Sequence, residues 1–165
     1  MEYVHVVEKQ MGSDIMILPV KNAIITSPYG YRKDPFGSDT KVFHDGIDFI
    51  SSNNDRRIFS ITKGIIVYDF DDYNHKFKNE KPNTGGNMVI VTSMIDDITY
   101  HIRYLHLLVN FVAKGQYINE GDYIGDYADV GISKGPHVHI DFYTSNWSKK
   151  IDPTPLFLKA GLLGG

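Results

Sequence analysis

Along most of this chain apolar and polar residues alternate in short runs, the period of strands that bury one face, and stretches with helical spacing are few. Val4–Val7, Ile15–Val20 and Ile24-Ile25 are β-rich and open the chain. Ile58–Ile61 and Ile65–Tyr68 flank Lys63-Gly64, and Met88–Thr92 and Ile98–Leu105 flank Asp96-Asp97, so each pair predicts a hairpin. Gln116–Ile118, Tyr123–Tyr127 and His137–Tyr143 predict three more strands. Asp152-Pro153-Thr154-Pro155 offers a cap and early prolines for one short helix over Leu156–Ala160, with Gly161 as its stop. Leu107–Val112 has room for one further helical turn. Two polar stretches read as loops, Tyr31–Phe43 and Asp69–Asn87, and the second is long enough to expect either a functional role or disorder. The pattern predicts a mainly β protein, an antiparallel sheet, sandwich or open barrel with a short C-terminal helix.

One strand departs from this pattern. In Gly135-Pro136-His137-Val138-His139-Ile140-Asp141 the alternation places His137, His139 and Asp141 on one face. Two imidazoles and a carboxylate suit a metal better than a half-buried row. His44-Asp45-Gly46-Ile47-Asp48 offers further ligands, with Gly46 permitting a bend or bulge that turns His44 and Asp48 to one point. A His and an Asp from this segment, with one His from the last strand, make three N/O ligands. That set leaves a fourth zinc position for water. Plainer readings stand beside each piece. His-x-His also serves as a packing feature, Asp-Gly marks a turn, and His106 in Tyr104-Leu105-His106-Leu107 also reads as a semi-buried structural histidine.

Composition narrows the field. The chain has 165 residues, enough for one domain, expected as a core over 23–160 with residues 1–22 packed on it as an extension. A net charge of -3 without a long basic run gives no case for nucleic acid or an anionic membrane. No run is apolar and long enough for membrane insertion, and Met1–Gln10 lacks the pattern of a signal peptide. With no cysteine, any metal must be held by His and carboxylate. Leu162-Leu163-Gly164-Gly165 reads as a domain edge running into a linker. The expectation from the termini is a module of a larger device, a bacteriophage tail first and a secretion apparatus second.

Several segments taken in order resemble the lysostaphin, LytM and β-lytic metallopeptidases. They are Ser27-Pro28-Tyr29-Gly30-Tyr31-Arg32, Phe43-His44-Asp45-Gly46-Ile47-Asp48 and Lys63-Gly64-Ile65-Ile66. Gly86-Asn87-Met88-Val89-Ile90, Tyr104-Leu105-His106-Leu107, Gly131 to His139 and Ile151-Asp152-Pro153 follow. The resemblance implies a single domain of the LytM-like kind, a duplicated hybrid motif. It implies a zinc endopeptidase that cuts peptide cross-links of bacterial peptidoglycan at the cell wall. His44, Asp48 and His139 would hold one catalytic zinc, and His106 and His137 would assist catalysis beside it. Asp141, where relatives often have Glu, would hold the far nitrogen of a ligand histidine or be a structural exposed carboxylate. Tyr31 and Arg32 would contact substrate or oxyanion, with packing and an ion pair the plainer role for Arg32. A non-catalytic wall-binding or structural member of the same fold is the alternative. Val130-Gly131-Ile132-Ser133-Lys134-Gly135-Pro136 departs from the usual run and bears on cross-link preference.

Overall fold

The structure is a computed structural model and describes residues 15–70, 85–131 and 133–164. The strand predicted at Val4–Val7, most of the Asp69–Asn87 loop, and His5 and His75 lie outside them. The chain runs β1 (Ala23–Ser27), β2 (Gly30–Lys33), β3 (Lys41–His44), β4 (Ile47–Ser51), β5 (Arg57–Phe59) and β6 (Gly64–Phe70). It continues through β7 (Asn87–Ile95), β8 (Ile98–Asn110), β9 (Tyr117–Ile118), β10 (Tyr123–Tyr127), β11 (Val138–Thr144), β12 (Lys150–Ile151) and the helix α1 (Thr154–Lys159). One sheet follows the order β1-β4-β11-β8-β7-β6-β9, with β10 bridging β8 to β5 and β12 on β11. Among the described residues β2 and β3 pair only with each other. The sheet does not close, and the mainly β antiparallel fold expected from the alternation is the one observed.

The β7–β8 hairpin forms as predicted. Asp96 and Asp97 both sit at positive φ, the backbone a two-residue primed turn requires, and Ile95 pairs with Ile98 across it. The hairpin predicted at Lys63-Gly64 does not form. β5 pairs with β10, and β6 with β7 and β9. Gly64 marks a close approach instead, since a Cβ there would lie 2.3 Å from the Thr92 carbonyl oxygen. Ile15–Val20 is no strand. It lies along β5 through isolated bonds, Ile17 N–H to the Ile61 carbonyl (2.9 Å) and Phe59 N–H to the Pro19 carbonyl (2.7 Å), and buries Met16 and Val20. Leu107 to Asn110 extends β8 rather than forming a helical turn, because β10 supplies its pairing partner there. Tyr31–Phe43, read as a loop, is largely the β2–β3 hairpin.

Alternation on three neighbouring strands makes both the core and the site. Ile47 and Phe49 of β4, Ile102 and Tyr104 of β8, and Val138, Ile140 and Phe142 of β11 are almost wholly buried on one side. Phe157 of α1 packs against Phe49 and Phe142 with ring centroids 5.8 and 6.1 Å away. Each such side chain contributes about 1.5–3 kcal/mol by leaving water. The intervening residues Asp48, Arg103, His139 and Asp141 are thereby forced to the other side. Register does the rest: His139 lies opposite Asp48, and Asp141 opposite Arg103.

Candidate active site

That other side is the floor of an open groove of about 530 Å³ lined by His44, Asp48, His106, His137 and His139 among others. His44 ends β3 and comes to the floor beside β4. Its Nε2 lies 3.1 Å from His139 Nδ1 and 3.2 Å from Asp48 Oδ1, and His139 Nδ1 is 2.8 Å from that same oxygen. Three ligand atoms from segments up to 95 residues apart thus form a small triangle.

The outer bonds of the two imidazoles decide what that triangle presents. His44 Nδ1–H donates to the Pro28 carbonyl at 2.8 Å, with Ser27 Oγ 3.3 Å away. His139 Nε2–H donates to Asp141 Oδ2 at 3.2 Å. Because both acceptors are oxygens without a proton to give, the inner nitrogens are left as lone pairs facing a carboxylate oxygen. Three lone pairs at such separations repel unless a cation lies among them, so the residues fit zinc held by two histidines and an aspartate. The same demand appears in titration. Burial alone would lower His139, but hydrogen bonds from its ring to the carboxylates of Asp141 and Asp48 push it up to about 9. Burial would raise Asp48, and its contacts with His139, His44 and His137 hold it far below the usual carboxylate range instead.

His106 and His137 stand beside the triangle with ring centroids 4.7 Å apart. His106 sits in a bulge of β8, where Asn87 pairs with Leu107 and Val89 with Tyr104, and its φ is +67°. The bulge re-aims the ring into the groove. Its Nδ1–H donates to the Val130 carbonyl (2.8 Å), and His137 Nδ1–H to the Gly135 carbonyl (2.9 Å). Each therefore turns an unprotonated Nε2 outward, that of His137 being 3.6 Å from Asp48 Oδ1. Burial, then the neighbouring His137 and His139, pull His106 down to about 4, which keeps it neutral.

The other predicted residues separate. Arg32 Nη1 bonds Ser27 Oγ and reaches Asp48 Oδ2 at 3.4 Å, which leaves Oδ1 to the histidines. Tyr31 is 77% exposed, stacks edge-on against Phe43, and does not line the groove. Asp141 is 0% exposed, so it is not the exposed structural carboxylate of the plainer reading. Gly46 is not left-handed; it clears space, because a Cβ would lie 2.5 Å from both His139 Nε2 and the Ile140 carbonyl oxygen. His101 is buried against Thr92 and Ser145, stacked on Trp147. Sequence reasoning missed Ser27, Asp45, Arg103 and Lys150. The available signals were the motif that holds Ser27 and Arg103 itself, a charge between the apolar Ile102 and Tyr104.

A mostly antiparallel β fold carries a His/Asp cluster fronted by two further histidines, and the family it matches is one of metallopeptidases. Residues 42–153 match the sequence model of Peptidase family M23, and the chain belongs to that family. Over 103 residues it is 31% identical to the peptidoglycan DD-endopeptidase ShyA of Vibrio cholerae, covering 56% of this chain and 24% of that protein. Over 137 residues it is 29% identical to lysostaphin of Staphylococcus simulans, covering 81% of this chain and 25% of that protein. The chain spans about a quarter of the length of these relatives. The solved lysostaphin of Staphylococcus simulans has a TM-score of 0.65 at 26% identity, covering 93% of this chain and 58% of that one. A zinc-containing peptidase from Vibrio cholerae has a TM-score of 0.60 at 26% identity, covering 84% and 39%.

Proposed function

We propose that this chain is a zinc-dependent endopeptidase that hydrolyses peptide cross-links of bacterial peptidoglycan, acting at the cell wall. The observation that carries the reading is the triangle of His44, Asp48 and His139, whose lone pairs converge because Pro28 and Asp141 hold the far nitrogens of the two rings. The names of lysostaphin and ShyA supply the substrate class. His44, Asp48 and His139 would hold the ion, which when bound supplies Lewis acidity and lowers the pKa of water towards about 7. The remaining work falls to the protein. Arg32 and Asp141 fix the orientation of Asp48 and His139. The outward Nε2 of His106 or His137 accepts the proton of the attacking water and returns it to the departing amine as the peptide C–N bond breaks. Neutral His106 keeps its lone pair for this from about pH 4 upward.

The test is digestion of purified peptidoglycans that differ in cross-link, with the released fragments sequenced by mass spectrometry. We expect new peptide termini that vanish on chelation, return with zinc, and are absent with His139→Ala. Equal action on wall material by chelated and zinc-loaded protein would favour a non-catalytic wall-binding module.

A further inference from the structure

We propose that Arg103 and Lys150 are positioning residues for the metal site, acting through Asp141 and Asp45; this rests on His139 being a zinc ligand. Asp141 Oδ2 accepts from three donors, His139 Nε2 (3.2 Å), Arg103 Nη2 (2.6 Å) and Lys150 Nζ (3.1 Å). Its Oδ1 accepts from Arg103 Nε at 2.7 Å. The guanidinium fork thus clamps both carboxylate oxygens, a geometry a lysine does not reproduce. With its carboxylate fixed, Asp141 holds the His139 ring in one tautomer and one rotation, with Nδ1 towards Asp48 and His44. Lys150 adds a second constraint. Its ammonium also lies 2.5 Å from Asp45 Oδ2, so one cation ties the residue next to His44 to the residue two beyond His139. The two ligand-bearing segments are thereby held in register outside the backbone ladder.

Stability alone does not account for such a cluster. Burying the Asp141 carboxylate with Arg103 and Lys150 largely covered costs about as much as their attraction returns, and apolar replacements of buried ion pairs are often neutral, while the half-exposed Asp45 adds little. Orientation of one ring is a task that apolar packing does not perform. Losing partners of this kind typically costs ten- to hundred-fold in metal affinity.

The experiment measures zinc affinity of the whole chain by competition with a chromophoric chelator, for wild type, Arg103→Met, Arg103→Lys, Lys150→Met and His44→Ala. The metal-free melting curve and the ¹⁵N signals of the His139 ring are recorded alongside. We expect Arg103→Met to bind zinc ten- to hundred-fold more weakly and Arg103→Lys and Lys150→Met at least fivefold more weakly. We also expect the single Nε2–H signature of His139 in the zinc-saturated protein to give way to averaged ring nitrogens in folded, zinc-saturated Arg103→Lys. Zinc binding within twofold of wild type by folded Arg103→Lys and Lys150→Met, while His44→Ala loses it, overturns the positioning role alone. Undiminished binding by His44→Ala overturns the site itself, and the proposal with it.

Discussion

The floor and the walls of the groove are built differently. The floor rests on β4, β11 and β8, neighbours in one sheet backed by Phe49, Tyr104, Ile140 and Phe142, so Asp48, His139, Asp141 and Arg103 inherit their positions from a ladder and a core, with His44 at the end of β3 and His137 just before β11 brought against them. The walls are turns. In one, Asp34 caps Phe36 N–H (2.8 Å) and Ser38 Oγ (2.6 Å); in the other, Asp129 accepts from Gly135 N–H (3.2 Å). They meet where the Lys134 ammonium lies 5.4 Å from the Phe36 ring centre. Packed ladders fix geometry to fractions of an ångström, and self-bonded turns tolerate change. Under the proposed function, chemistry belongs to the floor and selection among cross-links to the walls.

Four substitutions or conditions put that division under strain, beginning with the largest effect. His106→Ala keeps zinc but loses about 10²–10⁴ in kcat, the usual worth of a positioned proton acceptor; loss of zinc on metal analysis would move His106 into the ligand set. Gly46→Ala drives a Cβ against His139 and the β11 backbone and destabilises by about 1–3 kcal/mol, with weaker zinc binding, read by denaturant melts and chelator competition. The third is the pH response of the metal-free protein. His106 titrates at about 4 when folded, against about 6.5 unfolded, so the unfolded chain takes up its proton first and stability is lost as pH falls from about 6.5 towards 4. Between pH 7 and pH 5 the His106 contribution amounts to about 2 kcal/mol, which urea titrations should find as the difference between the pH responses of wild type and His106→Gln, since His139, raised to about 9, acts in the opposite sense in both. The smallest effect is at the walls. Phe36→Ala and Lys134→Ala leave stability within about 0.5 kcal/mol, yet shift the relative kcat/KM for different cross-linked fragments. A change in zinc affinity in either would break the division.

The sequence made the floor easier to read than the walls for the same reason. His137, His139 and Asp141 stand out because a strand that must bury apolar residues at every second position leaves polar intruders conspicuous. The β7–β8 hairpin was legible through Asp96-Asp97, whose residue types tolerate the left-handed turn. The β2–β3 hairpin was not, since among the described residues its strands pair only with each other and, apart from His44, bury none of their side chains fully, which leaves a weak alternation. Gly64 and Gly46 misled in one direction: each looks like a turn residue and is a clearance for a neighbour in the folded state. The partnership of Arg103 with Asp141 needed the β8–β11 register, which no local pattern carries. Ser27 and Arg32 belonged to a recognisable motif, but their support of His44 and Asp48 emerges only where β1 and β2 meet β3 and β4.

The 95 residues that separate His44 from His139 also set a clock. At about 5–20 residues per second of synthesis, the first ligand waits on the order of 5–20 s for the last to be made. Until then β11 cannot dock between β4 and β8, and no triangle exists. The triangle therefore arrives in one step, with the making and pairing of the single central strand β11, and not gradually as the earlier strands emerge.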